Sequence, residues 1–185
     1  METYPSRRSL NRRLVRLSRL AAAGCRLAWL AGPAMLAAYC FLLPEAAARH
    51  PWLAHVPDLP AALGPAAAAC LLAGLLVATG PLLWGMTQLE ALFRGYGAGE
   101  VLTVQAASRF NRFALALLAG VPAGPLGSAV ATGALSLAGH AGAPFLAVSV
   151  GSDQFWLLIL GSVLLLIARV MLDAAMLAAD DAQIV

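Results

Sequence analysis

Polar and apolar positions along this chain are segregated into long blocks. Leu59–Leu89 holds no aspartate, glutamate, lysine or arginine, and Phe113–Ser152 is interrupted only by His140. Leu27–Pro44 and Gln154–Ala168 add two shorter uncharged runs. A helix that crosses a bilayer needs about 20 consecutive apolar residues, more than a soluble core usually demands. The pattern predicts an all-α polytopic membrane protein with four antiparallel transmembrane helices, at about 27–43, 65–89, 113–138 and 154–172.

The connecting segments carry their own signals. In residues 1–26, Leu10, Leu14, Leu17 and Leu20 recur at helical spacing among arginines, which predicts a basic amphipathic helix lying on the membrane surface. Residues 44–60 are rich in proline and read as a short outer loop, with Trp52 suited to anchor at the interface. Pro65 suits the first turn of the second span, and Gly80-Pro81 is expected to kink that span near its inner end. Residues 90–112 form the most polar interior stretch, with glycines marking a turn and Thr103 placed as an N-cap. Phe145–Val150 alternates weakly and predicts an extended outer segment. The last helix, Gln154 to Ala179, would be about 39 Å long and would project beyond a ~30 Å hydrocarbon core.

Composition agrees with lipid as the main solvent: 61% of residues are hydrophobic, 11% are charged, and mean hydropathy is +0.81. The 12 basic residues are all arginine. With the N-terminus inside, every one except Arg49 falls on the cytoplasmic side, so the positive-inside rule predicts that both termini are cytoplasmic. A pI near 9.1 invites nucleic acid as a partner, but arginines placed this way form a topogenic signal, or else an anionic-lipid contact by the seven before the first apolar run, and no direct nucleic-acid binding is expected. Ser6-Arg7-Arg8-Ser9-Leu10 faintly resembles a twin-arginine export signal. The apolar run starts too far from that pair, and an uncleaved first membrane helix is the expectation. Cys25, Cys40 and Cys70 form no CxxC pair and read as small hydrophobes.

Few patterns suggest chemistry. Ala62, Ala66, Cys70, Gly74 and Ala78 form a ridge of small residues suited to close helix packing, within the bundle or in a homo-oligomer. Pro122 and Pro125 predict a break in the third span. That break is either a packed kink or the kind of discontinuous helix that forms transporter sites. The central spans carry neutral polar side chains such as Thr79, Gln88, Ser128, Thr132 and Ser136 and no acid or base, whereas coupled carriers bury an ionisable group. His50, His55 and His140 all fall on the expected outer side, in spacings that match no strong metal motif. There is no HExxH, G-x-S-x-G or phosphate loop. The charged side chains gather on the expected cytoplasmic face: Glu90, Arg94, Glu100, Arg109, Arg112, Arg169, Asp173, Asp180 and Asp181. Of these, Arg169 and Asp173 stand at i,i+4 spacing.

Two segments carry a family likeness. Leu89-Glu-Ala-Leu-Phe-Arg-Gly-Tyr-Gly-Ala-Gly-Glu-Val-Leu-Thr103 with Ala106-Ala-Ser-Arg-Phe110, and the ending Ala168–Val185, resemble the bacterial four-helix membrane family catalogued as domain of unknown function 2975. That family shows an L-F-x-x-y-x-x-G-E-x-F-T stretch after its second span and closes with an acidic-N-a-x-x-V signature. Leu102 departs from the aromatic and Asp181 from the asparagine. The resemblance covers about residues 65–185. It implies a bacterial inner-membrane protein and a cytoplasmic helix-turn-helix regulator as partner, and it supplies no catalytic residues.

The expectation is a non-enzymatic membrane protein without cofactor or metal, regulatory or accessory, with a cytoplasmic docking face. The alternatives are a small transporter or channel subunit, or an outward-facing metal or pH sensor.

Overall fold

The computed structural model describes residues 7–54, 63–98, 103–138 and 146–181, with side chains from residue 15 to residue 177. It is all-helical among the described residues. Helix α1 spans Arg7–Leu42, α2 Pro44–Ala48, α3 Pro65–Gly97, α4 Val104–Leu137 and α5 Ser152–Asp181, with a 3-10 turn at Pro51–Leu53. Four segments are long and apolar enough to cross a membrane: Val15–Leu42, Pro65–Gly97, Val104–Leu137 and Ser152–Leu177. The chain is a multi-pass membrane protein.

Local sequence explains where the helices start. Pro65 occupies the first turn of α3, where its missing N–H costs nothing. Thr103, in extended conformation, accepts a hydrogen bond from the Ala106 N–H at 3.1 Å and caps α4 as expected. In the loop expected at residues 44–60, the expectation of irregular chain is corrected. Pro44 at the first turn, Glu45 beside it and the alanines that follow make α2 a short helix.

Two further expectations differ from the structure. No break separates residues 7–26 from the first span: α1 is one helix that continues through Gly32 and Pro33. Its N-terminal half packs along the last turns of α3 rather than lying apart: Ser18 and Ala22 are buried, and a Cβ on Gly97 would stand 3.2 Å from the Ser18 hydroxyl. Small residues on one stripe permit this approach while the arginines between them stay outside. Likewise Pro122 and Pro125 do not break α4, which remains helical across both. Pro122 is exposed and Pro125 half-buried, so both rings sit towards the rim of the helix packing.

The helices form a row in chain order, in which α1 packs on α3, α3 on α4 and α4 on α5. α4 is the most enclosed, with 44% of its apolar window buried against 11% for α1 and α5. The outer faces of the two edge helices carry Leu27, Leu30, Met35, Leu158, Leu166 and Val170 in the open, as lipid contact requires. The tightest crossing joins α3 to α4 at Gly74 and Gly127, with Ala78 and Ala131 beside them. Further along, Gly85 meets Ala116 and Phe113. On the other side of α4, Gly120 meets Leu157, and Gly161 meets Leu118.

The core lies at one end. Cys40, Ala47, Leu53, Leu63, Leu71 and Leu135 pack together there, drawn from α1, α2, the 3-10 turn and the adjoining ends of α3 and α4. The opposite end, which holds the arginines of α1 and α3, is more open.

Candidate functional site

At the open end, a cleft of about 530 Å3 runs alongside the packing of α1 on α3. Arg19 and Arg26 flank it from α1, and Glu90 and Arg94 from α3. The stripes are helical repeats: Arg19, Ala22, Ala23 and Arg26 recur at three- and four-residue steps, as do Glu90, Phe93, Arg94 and Gly97. Alanine and glycine leave the space between the helices unfilled. Arg94 Nη2 lies 3.5 Å from Glu90 Oε1; the carboxylate side chain is 12% exposed and the guanidinium side chain 65%. An i,i+4 pair of this kind contributes only about 0.3–0.5 kcal/mol, so its main consequence is to give a mostly buried carboxylate a cation.

Arg109 has a different task. Its Nη1 donates to the carbonyl oxygen of Ala91 at 2.8 Å, tying α4 to α3 one layer away from the cleft. Nearby, Asn111 Oδ1 is buried without a hydrogen-bond partner. Arg112, Arg169 and Asp173 are exposed. Asp180 and Asp181 lie in the last turn of α5, and Glu100 lies outside the described residues, as do the side chains of both aspartates. The structure therefore groups Glu90 and Arg94 at the cleft and assigns Arg109 to helix packing. Arg19 and Arg26, which the sequence marked as topogenic charge or an anionic-lipid contact, prove to be cleft residues. Their i,i+7 spacing with alanines between was the available signal.

The small-residue ridge on α3 divides in the same way. Gly74 and Ala78 face Gly127 of α4, Cys70 is half-buried and Ala66 is exposed. Ala67, Ala68 and Leu71 supply the buried stripe at that end of α3.

At the packed end, residues 146–150 run extended, with Ala147 and Ser149 turned inward and Leu146, Val148 and Val150 exposed. Ser149 N–H donates to Ser128 Oγ at 2.9 Å, and Ala147 N–H to Thr132 Oγ1 at 3.1 Å. The two hydroxyls donate in turn to the carbonyls of Pro125 and Ser128, both at 2.8 Å. Two side chains one helical turn apart thus satisfy alternate amides of an extended strand, whose period of two residues matches that rise. Gln154 completes the patch: its Oε1 accepts from Gly151 N–H, and its amide nitrogen lies against Gly124. These are structural bonds, and among the described residues no ionisable side chain joins them.

His50 caps the 3-10 turn, accepting from Trp52 N–H at its Nδ1. Its ring stands edge-on to Trp52 at 5.0 Å and to Tyr39 at 6.3 Å. Burial pushes the imidazole below the ordinary histidine range. Trp52 turns inward against Gly127 instead of outward as an interface anchor. His55 and His140 lie outside the described residues, and among the described residues no group of three metal-ligating side chains forms.

Compared with protein-family models, with curated proteins and with solved structures, the chain matches none.

Proposed function

We propose that this chain is a non-enzymatic accessory protein of a bacterial cytoplasmic membrane. Its four spans are antiparallel, both termini are cytoplasmic, and its charged end docks a cytoplasmic protein. The observation that carries the reading is the asymmetry of the two ends. One is closed by a hydrophobic core and hydroxyl-bonded loops, while the other exposes Arg112 on α4 and Arg169 and Asp173 on α5 and carries the arginine-lined cleft between α1 and α3. The positive-inside rule assigns that second end to the cytoplasm. Helix length supports the assignment: α3 and α4, at 33 and 34 residues, measure about 50 Å each and overrun a ~30 Å hydrocarbon core. The overrun leaves charged turns standing in water. The family resemblance suggests a helix-turn-helix regulator as the docked protein.

The test has two parts. In a variant lacking Cys25, Cys40 and Cys70, a membrane-impermeant thiol reagent applied to intact cells should label Arg49→Cys and spare Arg112→Cys. Photo-crosslinkers at positions 112 and 173 should then yield one protein adduct that carries a helix-turn-helix domain. Labelling of position 112 from outside, or adducts with lipid and self alone, would remove the reading.

A further inference from the structure

We propose that the cleft between α1 and α3 is a binding site for an anionic phospholipid, whose phosphate is held by Arg19, Arg26 and Arg94. This site would serve whether or not a protein docks at the same end.

The charge balance favours an anion. Among the described residues the cleft sets three guanidinium groups against one carboxylate, and Glu90 is already engaged by Arg94. Neither Arg19 nor Arg26 has a carboxylate partner among the described residues. Guanidinium groups present planar sets of N–H donors that match phosphate oxygens, and Arg94 spends one nitrogen on Glu90 while keeping the others.

The rest of the lining selects the source of that phosphate. Ala22, Ala23 and Phe93 make the surface between the arginines apolar, which suits an acyl chain and gives nothing to free phosphate. Both walls belong to segments long and apolar enough to cross a membrane, and the lining residues stand at the N-terminal end of one and the C-terminal end of the other, the level that a headgroup would occupy. Basic clefts between membrane helices hold lipid headgroups by this combination. Arg19 and Arg26 stand two turns apart on one stripe, about 10.5 Å along the axis, so a headgroup bound between them is approached from both ends.

Native mass spectrometry of the detergent-purified full chain tests the site, with phosphatidylglycerol and phosphatidylcholine added in equal amounts. Wild-type protein should retain phosphatidylglycerol selectively. Arg19→Gln combined with Arg26→Gln should weaken that retention roughly 30-fold, taking each arginine at its usual contribution near an anionic surface. Arg49→Gln, which follows α2 at the opposite end of the molecule, should retain it fully. Ala23→Trp fills the cleft without altering charge, and it should also lose the lipid. That variant decides the matter if the arginine pair fails to fold. Equal retention of the two lipids, or undiminished binding in both the double arginine variant and Ala23→Trp, would overturn the proposal. So would displacement of the lipid by millimolar inorganic phosphate, which would make the site one for free anion.

Discussion

Gly74 and Gly127 face each other so closely that a methyl group on Gly127 would stand 2.5 Å from the Gly74 carbonyl oxygen. The α3–α4 crossing is therefore set by backbone against backbone, which only glycine permits. Gly127→Val should cost about 1–3 kcal/mol and lower the thermal midpoint in detergent by several degrees. Gly80→Ala, where nothing lies within 4 Å of the added carbon, should leave the midpoint unchanged or slightly raised. Equal behaviour of the two variants would show that the crossing does not govern stability.

Ser128 and Thr132 hold residues 146–150 through two amides that have no other described partner. Replacing them together by alanine and valine leaves both N–H groups unpaired, at about 1–3 kcal/mol each. Hydrogen exchange in a peptide covering 146–150 should accelerate sharply, while peptides from α3 keep their protection. Unchanged exchange in that peptide would mean that other contacts hold the strand.

The His50 environment makes the loop after α2 sensitive to acid. Trp52 N–H donates to Nδ1, which requires that nitrogen to be unprotonated, and burial lowers the folded-state pKa below the ordinary 6.5. The unfolded chain then binds the proton more readily. The histidine's contribution to stability is complete above about pH 6.5 and is lost as pH falls through the lower folded value. Trp52 reports on this through tryptophan fluorescence, which should show an acid transition that disappears in His50→Asn. An identical transition in that variant would assign the change to another group.

The cap at Thr103 is separable from the rest of α4. Thr103→Ala should cost about 1 kcal/mol and fray Val104–Ala107, since Ala106 N–H loses its acceptor. Thr103→Ser should restore both the stability and the exchange protection of that first turn. Failure of serine to rescue would point to packing of the threonine methyl instead.

How far the molecule was legible in its sequence differs from element to element. The four apolar helices follow from block lengths alone, because a bilayer admits few other structures for uncharged runs of that size. Thr103 and the extended run after Phe145 were also readable, since capping and alternation are local properties. The continuity of α1 and α4 was not. A proline in a helix interior tells of a lost hydrogen bond, and whether the helix bends or carries on depends on its neighbours.

The Arg19/Arg26 cleft and the bonding of Ser149 to Ser128 were equally hidden. Each joins residues from different elements, and their meeting depends on which helices pack side by side. In lipid, apolar helices gain little from covering one another, so the pattern of hydrophobic residues leaves that choice open. Sequence alone determined that this protein lives in a membrane with four spans and strongly uneven charge. Tertiary structure decided the row α1–α3–α4–α5, through glycine approaches such as Gly74 on Gly127, and with it which arginines stand beside an open cleft.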